Sequence, residues 1–220
     1  MHGASLHCRM VGDHSSRFMQ ALLVGIALAC LVSEARAQSV QQITVAGQKS
    51  ILGKPVLEAA GSQQPDISVV EYFDYNCPYC KKFAPTLQAL GAADPRVEVI
   101  YKDWPILGEV SVYAARSALA AQWQGKYLLA HDALMSGPRL GKDQQVDAVL
   151  SRAGVDMAAL AKDRAQHAGE ITAQLARIDS EANAMGMQGT PGILVGRLLV
   201  PGIAELSDLQ KLVAAARREP

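Results

Sequence analysis

Two cysteines three positions apart, Cys77 and Cys80, are the residues whose type and spacing most directly suggest chemistry. Such a pair is compatible with half of a zinc site, with a structural disulfide or with a redox-active dithiol. Structural zinc needs four ligands, and the histidines beyond the N-terminal segment, His131 and His167, lie far along the chain. A disulfide within the pair would close too small a loop to stabilise a fold strongly. The pair therefore favours redox chemistry.

The N-terminal segment, residues 1–37, has the features of a cleavable signal peptide. Two arginines precede an apolar run from Met19 to Val32, which is short for a membrane span, since a span takes about 20 residues. The tripeptide Ala35-Arg36-Ala37 then supplies the small residues of a cleavage site. A buried helix, a membrane anchor and a lipoprotein signal at Cys30 are the alternative interpretations. We expect cleavage after Ala37.

Cleavage would change the cysteine count, because Cys8 and Cys30 would leave with the peptide and only Cys77 and Cys80 would remain. Export implies an oxidising compartment, in this case the periplasm, where a thiol pair can persist as a disulfide. The composition, with 50% hydrophobic residues, is that of a globular protein. The formal net charge of +0 gives no indication of a nucleic-acid partner.

The segments around the pair predict a strand, a helix and a second strand. Residues 67–75, ISVVEYFDY, are β-branched and aromatic, which predicts a strand. Pro78 follows Cys77 at a position where the first turn of a helix tolerates proline. This helix is expected to stop at Gly91, and residues 97–103, VEVIYKD, are expected to form the second strand.

A parallel strand–helix–strand crossover places Cys77 at the N-terminus of the helix, beyond the carboxyl end of the first strand. Unpaired N–H groups and the helix dipole stabilise a thiolate there, so the pKa of Cys77 should fall below the free value of about 8.5. Cys80 lies one turn further in and should be more buried, as a resolving thiol. Lys81 and Lys82 are expected on a solvated helix face, and Pro85 is expected to kink the helix.

The segment EYFDYNCPYCKKFAP resembles the active-site segment of the thioredoxin superfamily. Glu71, six residues before Cys77, stands where thioredoxins and DsbA-type proteins carry a buried acid. Pro85, eight residues after Cys77, matches the helix-kinking proline of thioredoxin. Residues 188–196, QGTPGILVG, resemble the loop that carries the family's cis-proline, here Pro191.

A longer segment, YKDWPILGEVSVYAARSALAAQ at residues 101–122, resembles the secreted DsbA-like branch that includes ScsC and Com1-type proteins. The resemblance covers about residues 67–218. It implies an α/β protein with a thioredoxin fold (βαβ–ββα) and an inserted helical domain. It also implies a protein thiol:disulfide oxidoreductase that needs no organic cofactor and no metal.

The pattern of the remaining sequence predicts the elements that this fold requires. The apolar positions Leu119, Trp123, Tyr127, Ala130 and Leu134 fall on one helical face. Asp143 and Asp156 are expected to cap two further helices, and an apolar stripe from Ile171 to Met185 predicts a helix that stops at Gly186. Two short strands, 193–195 and 198–200, are expected to form a hairpin, and a final amphipathic helix carries Leu206, Leu209, Leu212 and Val213.

The chain is therefore expected to divide into a signal peptide, an N-terminal extension, a thioredoxin-fold domain in two pieces and a helical insertion. Their boundaries are 1–37 for the peptide, 38–66 for the extension, 67–104 with 189–220 for the thioredoxin-fold domain, and 105–188 for the insertion. Within the insertion, Trp123, Tyr127 and His131 are candidates to shape a substrate groove, although packing within a helix explains most of them.

The resemblance implies a role for each site residue. Cys77 would attack or be attacked, Cys80 would resolve the mixed disulfide, and Glu71 would exchange a proton with Cys80. Strand alternation places Glu71 on one face of a strand that is central to the sheet, and both faces of such a strand are usually covered. Burial would raise the pKa of Glu71 above about 4.3.

The resemblance also implies which residues contact the substrate. Thr190 and Pro191, joined by a cis peptide bond, would face the cysteine pair and present a backbone edge to the substrate chain. Pro78 and Tyr79, between the two cysteines, complete the predicted substrate-binding set.

These observations predict an exported dithiol oxidase, most simply a monomer, because residues 38–66 are shorter than the dimerisation domain of DsbC-type isomerases. Its expected partners are cysteine-containing exported proteins and a membrane protein that reoxidises or reduces the pair. The alternatives are a disulfide isomerase or reductase of the same fold, a non-catalytic binding module, and a copper-handling protein. Met185 and Met187 motivate the copper alternative, since thioethers and thiolates suit Cu(I).

Overall fold

The computed structural model describes residues 41–44, 47–48, 59–61 and 64–218. The expected signal peptide, residues 1–37, and most of the expected extension, 38–66, lie outside the described residues, so those two predictions stand as they were made. Among the described residues, no helix is both long enough and apolar enough to cross a membrane.

A mixed sheet forms the centre of the protein. The strands are β1 Gln41–Gln42, β2 Ala59–Gly61, β3 Ile67–Phe73, β4 Val97–Asp103, β5 Gly192–Val195 and β6 Leu198–Pro201. They lie in the order β1-β6-β5-β3-β4-β2. β3 is parallel to β4 and antiparallel to β5, and β5 is antiparallel to β6. The α/β thioredoxin fold predicted from the sequence is therefore present.

The helices cover both faces of this sheet. They are α1 Pro78–Ala93, α2 Glu109–Ala120, α3 Tyr127–Ser136, α4 Asp143–Arg152, α5 Met157–Gln166, α6 Ala168–Ala184 and α7 Leu206–Ala216. A 3₁₀ turn, Ala121–Gln124, joins α2 to α3. The helices from α2 to α6 lie between β4 and β5, where the sequence predicts a helical insertion.

The central strand β3 is almost continuously apolar because both of its faces are covered. Val69 and Phe73 belong to the larger hydrophobic cluster, which includes α1 and most of the helices after β4. Val70 and Tyr72 belong to a second cluster on the other side, with residues of α6. Both faces of β3 are therefore covered, as is usual for a strand with a parallel neighbour. Glu71, on the same face as Val69 and Phe73, is consequently buried.

Helix α1 ends later than the sequence suggested. The prediction of a stop at Gly91 is wrong, because the helix continues to Ala93 and Asp94 is its C-terminal cap. Pro95 is the physical cause, since a residue that precedes proline is disfavoured in the helical conformation. Pro85 lies inside this helix, which continues through it.

Two details of the helical insertion also differ from expectation. The apolar face drawn from Leu119 to Leu134 is not one helix, because Gly125 adopts φ 66° and separates the 3₁₀ turn from α3. Asp143 does not cap α4: the cap is Lys142, and the side chain of Gln145 accepts its N–H. Asp156 does cap α5, as predicted, by accepting from two backbone N–H groups.

The C-terminal part follows the prediction closely. Helix α6 ends at Ala184, and Gly186 follows it at φ 71°. Strands β5 and β6 form the expected hairpin, with Gly196 at φ 58° in the turn, a conformation that glycine adopts without steric cost. Helix α7 begins at Leu206.

Candidate active site

Cys77 occupies the N-terminal cap of α1. Its backbone is extended, with φ −75° and ψ 118°, and its sulfur accepts the backbone N–H of Cys80 across 3.5 Å. Pro78 is the first residue of the helix, which suits proline because that position has no intrahelical partner for an N–H group. The strand β3 and helix α1 thus deliver the first sulfur to the open N-terminal end of the helix.

The loop before β5 faces this sulfur. The Thr190–Pro191 peptide bond is cis, as predicted. The Cys77 thiol donates to the backbone carbonyl oxygen of Thr190, with 3.2 Å between sulfur and oxygen. Residues 113 positions apart are therefore brought into direct contact, and a backbone edge lies beside the sulfur.

The residues of the motif differ sharply in exposure. Cys80 is fully buried and Cys77 is 4% exposed, which confirms that the second cysteine is the more buried. Pro78 is exposed, and Tyr79 is 61% exposed. Of the two cysteines, only Cys77 retains exposed surface, and exposed side chains follow it in the motif.

The two thiols have opposite acidities. A hydrogen bond from the Cys80 thiol, aided by side-chain and backbone hydrogen bonds from Thr190, Cys80 and Tyr79, lowers the pKa of Cys77 to about 5. The same hydrogen bond, together with burial, raises the pKa of Cys80 well above its ordinary value. At neutral pH the dithiol form therefore carries a thiolate on Cys77 and a proton on Cys80.

Glu71 lies beneath the pair in the sheet. It is fully buried, and neither carboxylate oxygen has a hydrogen-bond partner among the residues that the structure describes. Burial, and to a lesser extent the negative charge of Cys77, raises the pKa of Glu71 to about 8. The predicted direction of this shift is correct. A carboxyl group that is mostly protonated at neutral pH can give a proton to a neighbouring sulfur.

Lys81 corrects one expectation, because it does not lie on a solvated face. Its ammonium group donates to the backbone carbonyl of Leu134 and approaches that of Met135 at 3.5 Å, near the end of α3. Burial lowers the pKa of Lys81 to about 8. Lys82, by contrast, is exposed as predicted.

The aromatic candidates of the insertion do not form a groove. Tyr127 is fully buried and donates to Asp103 across 2.7 Å, and His131 is 1% exposed against the rings of Phe73 and Tyr101. Trp123 is partly exposed, but it stacks on His167 with 3.7 Å between ring centres. Packing explains these side chains.

Two polar residues that sequence reasoning did not assign hold the turn before Cys77. Asp74 and Asn76 are both buried, and both are hydrogen-bonded to distant segments. The pattern Asp-x-Asn at the end of a strand was a local signal for a turn, since both side chains bond readily to nearby backbone groups. Their distant partners gave no signal in the sequence.

Met187, one of the two methionines behind the copper alternative, is a packing residue. It is 8% exposed in the second hydrophobic cluster, where it packs closely against Gly192. Met185 packs against the same cluster. Within the described residues, no three His, Cys, Asp or Glu side chains are grouped as the ligands of a metal ion.

A comparison with protein families decides the relationship. The family described as "DSBA-like thioredoxin domain" matches residues 68–214. The chain belongs to this family. The match includes β3, the cysteine pair, the insertion, the cis-proline loop and most of α7, so family membership extends over all the elements of the site.

Solved structures agree with this assignment. A thioredoxin-like oxidoreductase from Silicibacter pomeroyi is 41% identical with a TM-score of 0.74, over 78% of this chain and 98% of that chain. The thiol-disulfide exchange protein α-DsbA2 from Wolbachia pipientis is 25% identical, TM-score 0.70, over 76% and 93%. A periplasmic thioredoxin-like protein from Salmonella enterica serovar Typhimurium is 27% identical, TM-score 0.67, over 81% and 100%. The chain therefore shares its family and its fold with these proteins.

Curated relatives match over a smaller part of their length. The chain is 25% identical over 159 residues to a Na⁺/H⁺ antiporter NhaA 1 from Salinispora arenicola, a match that spans 71% of this chain but 24% of the relative. The chain thus spans about a quarter of the length of the curated relatives it matches.

Proposed function

We propose that this protein is an exported dithiol oxidase that introduces disulfides into cysteine-containing proteins. The observation that carries the proposal is the contrast between the two thiols. A thiolate on Cys77 that is stabilised to a pKa of about 5 stabilises the reduced form of the pair. Stabilisation of the reduced form makes the corresponding disulfide a stronger oxidant. This favours oxidation of substrates over their reduction.

In the first step, a substrate thiolate attacks the sulfur of Cys77 in the Cys77–Cys80 disulfide. A bond forms between the substrate sulfur and Cys77, and the bond to Cys80 breaks, with its electron pair leaving on Cys80. Cys80 takes a proton because burial disfavours its charged form. Glu71, neutral below a pKa of about 8, supplies that proton directly or through water.

In the second step, another thiolate of the substrate attacks the substrate sulfur of the mixed disulfide. The substrate disulfide forms, and Cys77 leaves as a stabilised thiolate. The substrate has lost two electrons and the enzyme has gained them. A membrane redox partner that accepts these electrons would restore the disulfide. Thr190 and Pro191 contribute the backbone edge that the substrate chain meets, and Pro78 and Tyr79 the exposed apolar surface beside it.

The periplasm is the proposed location. The N-terminal sequence has the order of a signal peptide, and one of the similar solved structures is a periplasmic protein. An oxidising compartment also suits a cysteine pair that must be kept as a disulfide between turnovers. Mature protein in this compartment would act as a monomer on exported chains.

The redox potential of the pair tests the proposal. The mature protein is equilibrated in glutathione buffers of defined ratio, and the fraction of oxidised pair is read by mass after alkylation. We expect a potential more oxidising than about −180 mV, the value of protein disulfide isomerase, and in the direction of the about −120 mV of DsbA. A potential near the about −270 mV of thioredoxin would contradict the oxidase assignment and favour a reductase.

An activity comparison separates an oxidase from an isomerase. The oxidised protein is incubated with a reduced, unfolded disulfide protein. Separately, the dithiol form is incubated with the same substrate carrying scrambled disulfides, because repair begins with attack by a thiolate. We expect fast oxidation of the first and slow repair of the second. Cys77→Ser is the matched control, because it removes the sulfur that exchanges with the substrate in both assays and leaves the rest of the site. Repair that is faster than oxidation would favour an isomerase.

A further inference from the structure

The carboxylate of Asp74 fixes the turn that carries Cys77. Asp74 is 1% exposed and accepts from the backbone N–H of Asn76 at 2.7 Å, from that of Leu107 at 2.9 Å, and from the hydroxyl of Ser111 at 2.7 Å. Its own carbonyl accepts the N–H of Cys77 at 3.0 Å. A single buried side chain therefore ties the turn to the segment between β4 and α2.

Asn76 ties the same turn to a second segment. Its side-chain amide donates to the carbonyl of Leu140 at 3.0 Å, and its side-chain oxygen accepts the N–H of Leu140 at 2.8 Å. This reciprocal pair reproduces the bonding of two neighbouring backbone strands. Asn76 is 5% exposed, so water competes little for these bonds. The segment between α3 and α4 is thus held beside Cys77.

A cleft of about 580 Å³ lies between the two segments. Leu107, Glu109 and Val110 form one wall, Arg139, Leu140 and Gly141 form the other, and Asn76 contributes between them. The volume is within the range of about 300–1,000 Å³ that is usual for ligand sites. The cleft therefore has apolar side chains and charges of both signs on its walls, and buried hydrogen bonds of Asp74 and Asn76 hold these walls.

Exposed apolar side chains are concentrated on the segments beside Cys77. Among the described residues, five large hydrophobic side chains are exposed, and three of them are Tyr79, Ile106 and Leu107, at 61%, 41% and 44%. Tyr79 lies between the cysteines, and the backbone of Leu107 is held by Asp74. Ile106 and Leu107 are adjacent in sequence, so two exposed apolar side chains lie together on the segment that Asp74 ties to the turn before Cys77.

We infer that this cleft binds the polypeptide segment next to the reacting cysteine of the substrate, with Asn76 and Asp74 as positioning residues. The inference rests on the proposed function and adds a substrate site to it. The occupant is inferred from position. The substrate sulfur that reacts with Cys77 belongs to a polypeptide, and Asn76, which lines the cleft, is the residue next to Cys77. A polypeptide also offers what the walls can bind, namely apolar side chains for Leu107 and charges for Arg139 and Glu109.

The test compares Leu107→Ala with Leu129→Ala. The two leucines have nearly equal exposure, 44% and 43%, but Leu129 lies on α3 and is not among the residues that line the cleft. Each variant is assayed with an unstructured peptide that contains two cysteines and with dithiothreitol. We expect Leu107→Ala to lower kcat/KM for the peptide relative to dithiothreitol about tenfold, through KM, which is the scale for loss of apolar contact in a binding site. Leu129→Ala should leave this ratio unchanged.

A second variant tests the positioning residue. Asn76→Asp keeps the acceptor for the Leu140 N–H but removes the donor to the Leu140 carbonyl and places a negative charge against it. If Asn76 holds the wall of the cleft, KM for the peptide rises while Leu107 is intact, and kcat changes less than KM. Equal loss with peptide and dithiothreitol would assign Asn76 to the folding of the turn alone and overturn its positioning role.

Binding of the same peptide with both cysteines replaced by serine keeps the cleft testable without turnover. We expect Leu107→Ala to weaken Kd about tenfold and Leu129→Ala to leave it unchanged, whether or not wild type oxidises dithiols. Binding without oxidation would defeat the proposed function and support the cleft. Equal Kd values for the two variants would overturn the cleft as a peptide site. A dimer that Leu107→Ala dissociates would assign the cleft to a second copy of this chain instead. Tighter peptide binding after deletion of residues 38–58 would assign it to the chain's own N-terminal segment.

Discussion

Glu71 brings a carboxyl group into the sheet without any compensating hydrogen bond in the part of the chain that the structure describes. A buried carboxylate of this kind is costly, so the group stays protonated instead. Its pKa of about 8 and that of Cys77 of about 5 mean that one negative charge, on sulfur, is present at neutral pH. This burial comes at the expense of stability, and we propose proton transfer to Cys80 as the role that the acid serves.

Glu71→Gln is expected to stabilise the protein, and more so as the pH rises. The folded-state pKa of about 8 exceeds the ordinary value of 4.5. The contribution of Glu71 to stability is therefore full below pH 4.5 and is lost as the pH rises towards 8. Each unit of pKa difference corresponds to about 1.4 kcal/mol, and we expect a gain of at least about 1 kcal/mol at pH 8. Denaturant unfolding of both proteins from pH 4 to 8 measures it.

The redox form provides the control for this prediction. The thiolate of Cys77 raises the pKa of Glu71 only in the dithiol form, whereas burial, the larger cause, acts in both forms. The gain should therefore be larger in the dithiol protein and still present in the disulfide protein. Equal stability of variant and wild type at every pH would mean that Glu71 is solvated.

The acidity of Cys77 should depend on the hydrogen bond from Cys80. We expect the rate of alkylation of Cys77 by iodoacetamide to reach half its maximum near pH 5 in wild type, the pKa of its thiol. Cys80→Ala removes the largest cause of the shift, so the midpoint should move up by about one unit or more. Cys80→Ser retains a hydroxyl donor and should move it less.

Mass spectrometry of the alkylated peptide gives the midpoint for each variant. Identical midpoints in all three proteins would show that the helix N-terminus, and not Cys80, sets the acidity. Cys80→Ser also permits a second readout, because without the resolving sulfur a mixed disulfide with substrate should accumulate.

At the scale of single residues, local sequence patterns indicated where the site lies, but contacts between residues far apart in the sequence could not be predicted. The resemblance singled out Cys77, Cys80 and Glu71 by their positions along one strand and one helix, and the roles it implies for them stay predictions. The expectation for Lys81 was wrong because its partners are backbone carbonyls 53 and 54 positions away. Asn76 was missed for the same reason, since Leu140 is 64 positions away.

At the scale of elements, strands β3 and β4 were predicted well because their composition is unambiguous. The errors are at helix ends, where several signals compete. Pro95 ended α1 in place of Gly91, and the positive φ of Gly125 divided an apolar face that periodicity alone reads as continuous. Periodicity reports which side of a helix is buried, but not where the backbone stops being helical.

The loop that carries Pro191 depends on close packing between Gly192 and Met187. A Cβ atom on Gly192 would overlap the sulfur of Met187. We expect Gly192→Ala to destabilise the protein by about 1–3 kcal/mol, the usual cost of overpacking, in denaturant unfolding. Gly189→Ala is the matched control, because a Cβ there meets no atom within 4 Å.

A double variant identifies the cause of that loss. Gly192→Ala with Met187→Val removes the overlapping sulfur and should recover most of the lost stability. If the double variant is no more stable than Gly192→Ala, the strain comes from the backbone of β5 and not from Met187. The same variants test the copper alternative. If Met187 only packs, Met187→Val should leave the affinity for Cu(I) unchanged.

At the scale of the whole molecule, the insertion and the strands share one interior. A single hydrophobic cluster contains Val69 and Phe73 of β3, Leu87 of α1 and Leu134 of α3. Polar contacts follow the same route, from Lys81 to the end of α3 and from Tyr127 to Asp103 at the end of β4. The sequence predicted an insertion in the right place, but periodicity could not show that it packs directly against the redox site.

The chain that acts in the cell should be shorter than the full sequence. Cleavage after Ala37 should give a mature protein that begins at Gln38 and contains two cysteines instead of four. A small apolar run with a following A-x-A site is what a signal peptidase requires, and a bulky charged residue at Ala37 should block it. We therefore expect the intact mass of the exported protein to match residues 38–220, and Ala37→Asp to retain residues 1–37.

Retained Cys8 and Cys30 would add thiols able to form unwanted intermolecular disulfides in an oxidising compartment. The uncleaved form should therefore accumulate as disulfide-linked oligomers on non-reducing gels. A wild-type protein that keeps all four cysteines and stays monomeric would refute the signal peptide, and fractionation would then have to locate the protein in the cell.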